Sequence, residues 1–577
     1  MRFEVWAPFP DRVDLVLDGR RLPMSCDELG WWAVEVEGAG PGARYGFALD
    51  DGPVRPDPRS AHQPDGIDGP SAVYDHEAFE WHDDDWPGVR LPGSVLYELH
   101  VGTFSAAGTF DGVIQHLPHL VDLGVDAIEL LPVATASGRR GWGYDGVDLF
   151  APHPAYGGPD GLKRLVDAGH AHGLGVIIDV VYNHLGPGNH LAELGPYFTD
   201  RHATFWGDAI DYDGPQSAEV RHLVVDNALS WLRDHHCDGL RLDAVHAITD
   251  DSDLHLLAEI GDAVGELAEA VGRSLFVIAE SDLNDPVFVR PRPEGYGLAA
   301  AWADDWHHAV HSVLTGETGG YYEDFGSFDE LVKALEQAWV HDGTFSHFRQ
   351  GPHGGSVAGL TADRFVVAVQ NHDQVGNRAA GERLAALTSW GRLRVAAALL
   401  LTTPFVPMLF QGEEWGAGTP FQYFTDHPDP ELARSVREGR RSEFAAFGWA
   451  SDSVPDPQDL QTFARSVLDW EEPRRAPHDG LLRWHRSLIA LRRQLPDLHD
   501  PAVRATASHH EGIVTVVRGS VLVVANLAAA DRRATVAPGT CLLMGSEQGI
   551  SVEGDGLLLP VDSVAILRTP AEDLSGG

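Results

Sequence analysis

From Ser94 onward, apolar runs of strand length alternate with segments of helical spacing, and that alternation leaves few folds open. The runs are SVLYELHV (94–101), AIELLPV (127–133), GVIIDVVYNH (175–184), GLRLDAVH (239–246), SLFVIAES (274–281), AAAWADDW (299–306), FVVAVQNHD (365–373) and PMLFQGEEW (407–415). Among the segments between them are TFDGVIQHLPHLVDLG, PDGLKRLVDAGHAHG, SAEVRHLVVDNALSWLRDH and FDELVKALEQAW, with apolar residues three or four apart. Continuously apolar strands are buried on both faces, and strands joined through helices run parallel. Eight such strands predict an α/β chain folded as a (β/α)8 TIM barrel over about 91–500.

The flanks read differently. Residues 1 to about 90 are short strands with turn punctuation (FEVWAP, VDLVLDG, WWAVEVEG, ARYGFALDDG), which predicts an N-terminal β-sandwich. Its aromatics, Trp6, Trp31, Trp32, Tyr45 and Phe47, suit either sugar stacking or a sandwich core, and strand spacing favours the core. Alternating strands return over 501–577 (IVTVVRG, VLVVANL, GLLLPVDSVAILR) and predict a C-terminal β-sandwich. A polar, Gly-rich and aromatic-rich insertion at about 185–215 is too long for a simple turn and predicts a rim element.

Charge narrows the partners. Against 42 basic residues stand 86 acidic ones, a formal charge of −44, so neither nucleic acid nor an anionic membrane surface is expected as a partner. A neutral ligand such as a sugar is compatible with it. The longest apolar stretch, 395–410, is broken by Thr402, Thr403, Pro404 and Pro407 and reads as a buried helix running into a strand. Cys26, Cys237 and Cys541 are widely spaced, without metal-type spacing, and the N-terminus has no secretory pattern, so a cytoplasmic location is expected.

Three of the runs end in acid. In a strand, residues two apart face the same way, so Arg241 lies beside Asp243 and keeps it ionised, as a nucleophilic carboxylate requires. Glu280 and Asp373 close two further runs. In a parallel barrel all three meet at the C-terminal mouth, where such barrels carry their chemistry. Converging carboxylates, one paired with Arg, point to glycosidic bond cleavage.

DVVYNH (179–184), GLRLDAVH (239–246), VIAESD (277–282) and QNHDQVGNR (370–378) resemble, in this order, the four sequence regions of the α-amylase family of glycoside hydrolases. The resemblance covers nearly the whole chain, with the N-terminal module of immunoglobulin-like, carbohydrate-module-like kind. It implies Asp243 as a nucleophile forming a glycosyl-enzyme ester, Glu280 as general acid and then base, and Asp373 as the carboxylate that orients substrate hydroxyls. It further implies His184 and His372 as hydrogen-bonding partners of the sugar at the cleavage point, and Tyr144, in WGYDGVDLF, as the platform beneath that ring. His246 reads equally as part of an acceptor subsite or as a strand cap. The residue equivalent to Asn183 binds calcium in many α-amylases, but no cage of oxygen ligands stands out in the short insertion, so no metal and no cofactor are expected.

The shared regions leave the bond unspecified. SDLNDP, the segment 300–325, FWGDAIDYDG and the segment 410–444 resemble members of that family that hydrolyse the α-1,4 bond joining a maltooligosaccharide to a terminal trehalose. Trp206, Asp282, Asn284, Glu414 and Trp415 are then the candidate acceptor-side residues. The alternatives are a glucan branching enzyme, which passes the glycosyl group to a sugar hydroxyl, and a non-catalytic glucan-binding barrel, against which all three carboxylates speak.

Overall fold

The structure is a computed structural model that describes residues 1–204, 207–446 and 454–570. Its centre is a closed barrel of eight parallel strands: β1 (Leu96–Leu99), β2 (Ala127–Leu130), β3 (Gly175–Val180), β4 (Gly239–Leu242), β5 (Phe276–Ala279), β6 (Ala300–Trp302), β7 (Phe365–Ala368) and β8 (Val406–Phe410). Neighbours in sequence are neighbours in the barrel, and β8 closes on β1 through Met408 opposite Leu96. All eight runs read from the sequence are these strands. Their Val, Ile and Leu side chains fill both faces, and the strand residues are buried throughout.

Helices cover the outside: α1 (Leu117–Leu123), α2 (Gly158–Ala171), α3 (Ser217–Arg233), α4 (Leu256–Val271), α5 (Asp304–Thr315), α6 (Phe328–Gln337), α7 (Trp390–Leu401) and α8 (His478–Gln494). The β5–β6 connection holds only a 3-10 turn, Pro286–Phe288, whereas β6–β7 holds both α5 and α6. Among the described residues, no helix is long and apolar enough to cross a membrane.

At the bottom of the barrel, His170 of α2 lies between two carboxylates. Its Nδ1 meets Asp83 at 2.8 Å and its Nε2 meets Asp238 at 3.0 Å. Asp238, just before β4, also accepts from the Trp86 indole and the Val176 amide. Burial pulls the His170 pKa down, but its two hydrogen-bonded carboxylates outweigh this and raise it. The segment carrying Asp83 and Trp86 is thereby fastened to the barrel floor.

Residues 2–72 form two small sheets, with Trp6, Trp32, Tyr45 and Phe47 buried between or beneath them, as core rather than display. Trp31 is half-buried, with the Arg59 guanidinium 5.7 Å above its ring. Residues 506–568 form a five-stranded and a three-stranded sheet. Two guanidinium groups, each 1% exposed, join these sheets and α8 to the barrel. Arg518 donates to the carbonyls of Thr403 and Leu498, both at 2.7 Å, and Arg492 donates to those of Thr403 at 2.6 Å and Phe405 at 2.9 Å.

Candidate active site

Arg241 is the hub of the mouth. Fully buried on β4, it sends Nη1 to both oxygens of Asp179 (2.9 and 2.8 Å) and to Asp243 Oδ1 (2.8 Å), while Nη2 lies 3.6 Å from Glu280 Oε2. The period of two does bring Arg241 to Asp243. Asp179 comes from register, since β3 pairs β4 with Asp179 opposite Arg241. The Trp302 ring, 4.4 Å from the guanidinium, covers its other side.

The second oxygen of Asp243 accepts from Asn183 Nδ2 at 2.9 Å, and Asn183 Oδ1 is in contact with His184 Nδ1. Asn183 thus has its amide on one member of the site and its carbonyl on another. Immediately after Asp243 the chain turns sharply: Ala244 has φ 40° and ψ 51°, a left-handed conformation that strains any residue with a Cβ. The turn aims the Ala244 N–H at Glu280 Oε2, 2.6 Å away. Burial pushes the Glu280 carboxyl up to about 8; Arg241 opposes this, and the neighbouring charges of Asp243, Asp304 and Asp373 add to it.

The opposite wall is a relay of hydrogen bonds. His372 Nδ1 donates to Glu98 Oε1 at 2.5 Å, and its Nε2 lies 2.7 Å from the Tyr144 hydroxyl, which donates to Asp179 at 2.6 Å. Burial disfavours the imidazolium, but Asp373 and Glu98 overcome it and push His372 up to about 9. The Tyr144 ring stacks on His372 at 5.2 Å and 21°. The turn before it needs glycine: Gly143 has φ 103°, and a Cβ there would sit 2.1 Å from the Pro132 carbonyl oxygen. Asp373, with its side chain 42% exposed, stands 3.5 Å from His372 Nε2 and faces the opening.

Of the acceptor-side candidates, His246 and Asp282 share the rim, 3.8 Å apart. Burial would raise the Asp282 pKa, but the Arg349 guanidinium, 2.7 Å away, holds it below the usual range. Arg349 belongs to a hairpin, Thr344–Ser346 with Gly351–His353, that displays Phe345 and Phe348 and donates His353 Nε2 to the Asp282 carbonyl at 2.9 Å.

Three candidates lie elsewhere than the sequence places them. Asn284 is 2% exposed, with its amide on Asp305 Oδ2 (2.8 Å) and the His341 carbonyl, so it holds the loop from inside. Glu414 and Trp415 are fully buried because a 3-10 turn, Glu413–Trp415, folds them back into the barrel wall. There Glu414 accepts from Tyr97 at 3.1 Å and meets His119 at 2.8 Å. Trp206 lies outside the described residues.

Sequence reasoning missed Glu98, Asn183 as a brace for Asp243, Trp302, Asp304 and Arg349. Glu98 and Asp304 carried a signal as acids within or just after a strand run, and Asn183 as part of DVVYNH. Among the described residues, one grouping, His202 and Asp213 of the β3–β4 connection with Asp251 of the β4–β5 connection, brings donors close enough for a cation. Asp213 already accepts from Arg201 and from the Asp251 amide, so its charge is in use within the protein.

The family profile "Alpha amylase, catalytic domain" matches residues 75–193. A malto-oligosyltrehalose trehalohydrolase from Arthrobacter ramosus is 53% identical over 529 residues, covering 90% of this chain and 92% of that protein. One of the same name from Rhizobium sp. (strain M-11) is 47% identical, covering 98% and 97%. A crystal structure of a Salmonella typhimurium protein with an alpha-amylase assignment superposes with a TM-score of 0.90 at 38% identity, covering 98% and 97%. A 1,4-alpha-glucan branching enzyme from Xanthomonas campestris is more distant, 29% identical over 73% of this chain.

Proposed function

The chain belongs to the malto-oligosyltrehalose trehalohydrolase family of α-amylase-type glycoside hydrolases, and on that premise we propose that its mouth cleaves the α-1,4 bond next to the terminal trehalose of a maltooligosyltrehalose, releasing trehalose and a maltooligosaccharide. The observation that carries the mechanism is the single guanidinium of Arg241 reaching Asp243 with one terminal nitrogen and Glu280 with the other. Two carboxyl groups held by one small cation fit the separation of about 5–5.5 Å of a retaining pair better than the ~6.5–9.5 Å of an inverting one.

In this reading, a carboxylate oxygen of Asp243 attacks the anomeric carbon as its bond to the leaving sugar breaks. Glu280 gives its proton to the departing oxygen. Water then loses a proton to the Glu280 carboxylate and attacks the same carbon, and the ester to Asp243 is released. Arg241 and Asn183 fix both oxygens of the nucleophile before substrate arrives, so little reorganisation remains for the transition state. Asp373 orients hydroxyls and offsets positive charge on the ring, which rests against Tyr144 between His184 and His372. His246, Asp282 and Arg349 form the acceptor side, where the compact α,α-1,1-linked pair is read by hydrogen bonds and stacking.

Two results are expected. Incubated with maltotriosyltrehalose and followed by proton NMR, the protein releases free trehalose, and the new reducing end appears first as the α anomer. A β anomer overturns the retaining assignment, and chain transfer without new reducing ends overturns hydrolysis. Because Glu280 must start protonated and burial raises its pKa to about 8, kcat/KM is expected to fall above that pH, about tenfold per pH unit. A fall centred near pH 5 removes Glu280 as the acid.

A further inference from the structure

The β6 strand contributes a carboxylate to the mouth that the mechanism above does not use. Asp304 lies two residues beyond Trp302, at the start of α5, and β6 stands between β5, which carries Glu280, and β7, which carries Asp373. Its neighbour Asp305 faces inward, 7% exposed, and is consumed by the Asn284 amide at 2.8 Å and the Val340 and His341 N–H groups at 2.7 and 2.8 Å. Asp304 takes the opposite side of the turn. It is partly exposed, and among the described residues it has no hydrogen bond and no ion pair.

Burial and the charges of Asp373, Asp282 and Asp305 push Asp304 up to about 7, against the pull of Arg241. Below that pH it is a neutral acid with one O–H donor and acceptor oxygens, the complement of a sugar's hydroxyls. The donor ring is already surrounded by Tyr144, His184, His372 and Asp373. The charge of Asp304 acts on Glu280, and Asp373 and then the rim acid Asp282 are the foremost charges acting on Asp304, so its carboxyl lies between the donor ring and the side where the departing sugar receives a proton from Glu280.

Resting on the hydrolase reading above, we propose that Asp304 is a specificity-determining residue that hydrogen-bonds hydroxyls of the leaving sugar. A bland role also exists for an acid in a helix's first turn, since its charge stabilises the α5 dipole. The two roles differ in what they do to substrates.

The test compares Asp304→Ala and Asp304→Asn with the unaltered protein on two substrates: a maltooligosyltrehalose, and a 4-nitrophenyl α-maltooligoside whose leaving group has no sugar hydroxyls. Asp304→Ala is expected to lower kcat/KM about 100-fold on the first and less than about 3-fold on the second. Asp304→Asn, which keeps a donor and an acceptor, is expected to retain more activity on the first. Equal losses on both substrates overturn the proposal, because Asp304 would then act through the donor ring or Glu280. No loss on either, with only a lowered Tm, also overturns it and leaves the helix role. If the unaltered protein cleaves plain maltooligosaccharides as well as maltooligosyltrehalose, the trehalose reading fails while the sugar-versus-aryl comparison, run on the glucan it cleaves, still decides the role of Asp304.

Discussion

Asp243→Asn and Glu280→Gln are each expected to lower kcat/KM on a maltooligosyltrehalose by about 10⁴- to 10⁶-fold, with the near-UV circular dichroism unchanged. The magnitude follows from groups that act as one unit, where removing any member forfeits nearly all of their joint effect. Asp243→Asn retains shape and most hydrogen bonds but loses the carboxylate that the proposed mechanism uses as nucleophile, and it leaves Arg241, fully buried, with one carboxylate fewer. Glu280→Gln keeps an acceptor for the Ala244 N–H yet has no acidic proton to give. Asp373→Asn is expected to cost less, about 10²- to 10³-fold, because it removes one stabilising charge rather than a bond-making group. The measurement is the initial rate of trehalose release. More than about 1% of normal activity in either of the first two variants would remove that residue from the chemistry.

The largest expected loss of stability comes from the other end of the barrel. His170→Ala leaves Asp83 and Asp238 facing each other without the imidazolium between them. Removing one member of a buried ionic group costs about 3–5 kcal/mol, because the partners remain desolvated. His170 itself is 1% exposed in its side chain, so solvent does not screen the loss. The pH dependence has a definite sign. The pKa of His170 is raised in the folded protein, so its contribution is full below the unfolded value of about 6.5 and is lost as pH rises through the folded value. Asp83 is shifted down by His170 and His236 against the effect of its burial, so its contribution is present above its unfolded value of about 3.9 and is lost in acid. Urea unfolding is therefore expected to show the greatest difference between the two proteins at about pH 5–6. A difference below about 1 kcal/mol there would mean that the Trp86 indole on Asp238, with His236 and Arg273 at 2.9 and 3.9 Å from Asp83, carries the floor unaided.

How much of this was written in the chain depends on whether a contact is local. The eight strands are legible because each must be apolar on both faces, and the Arg241–Asp243 pair because a strand repeats every two residues. The Asp179–Arg241 and Glu98–His372 contacts join residues 62 and 274 positions apart, and only barrel closure and register bring them together. Glu414 and Trp415 show the converse difficulty: following a strand locates a residue near the mouth but not its direction, which a single 3-10 turn reverses. Arg349 lies 67 positions from Asp282 in a hairpin with no strand-length apolar pattern, so nothing local marks it as a partner.

The arginine joint bears on how the protein emerges from the ribosome. The carbonyls of Thr403 and Phe405, at the start of the last barrel strand, receive their donors from Arg492 and Arg518. Synthesis runs from the N-terminus, so these oxygens are made some 90 to 115 residues before the side chains that satisfy them. A nascent barrel has all eight strands but a closing segment whose buried acceptors still need water. Arg492 of α8 arrives first and Arg518 of the C-terminal sheet second, so that sheet supplies the last donor to this segment as well as a cover for the barrel.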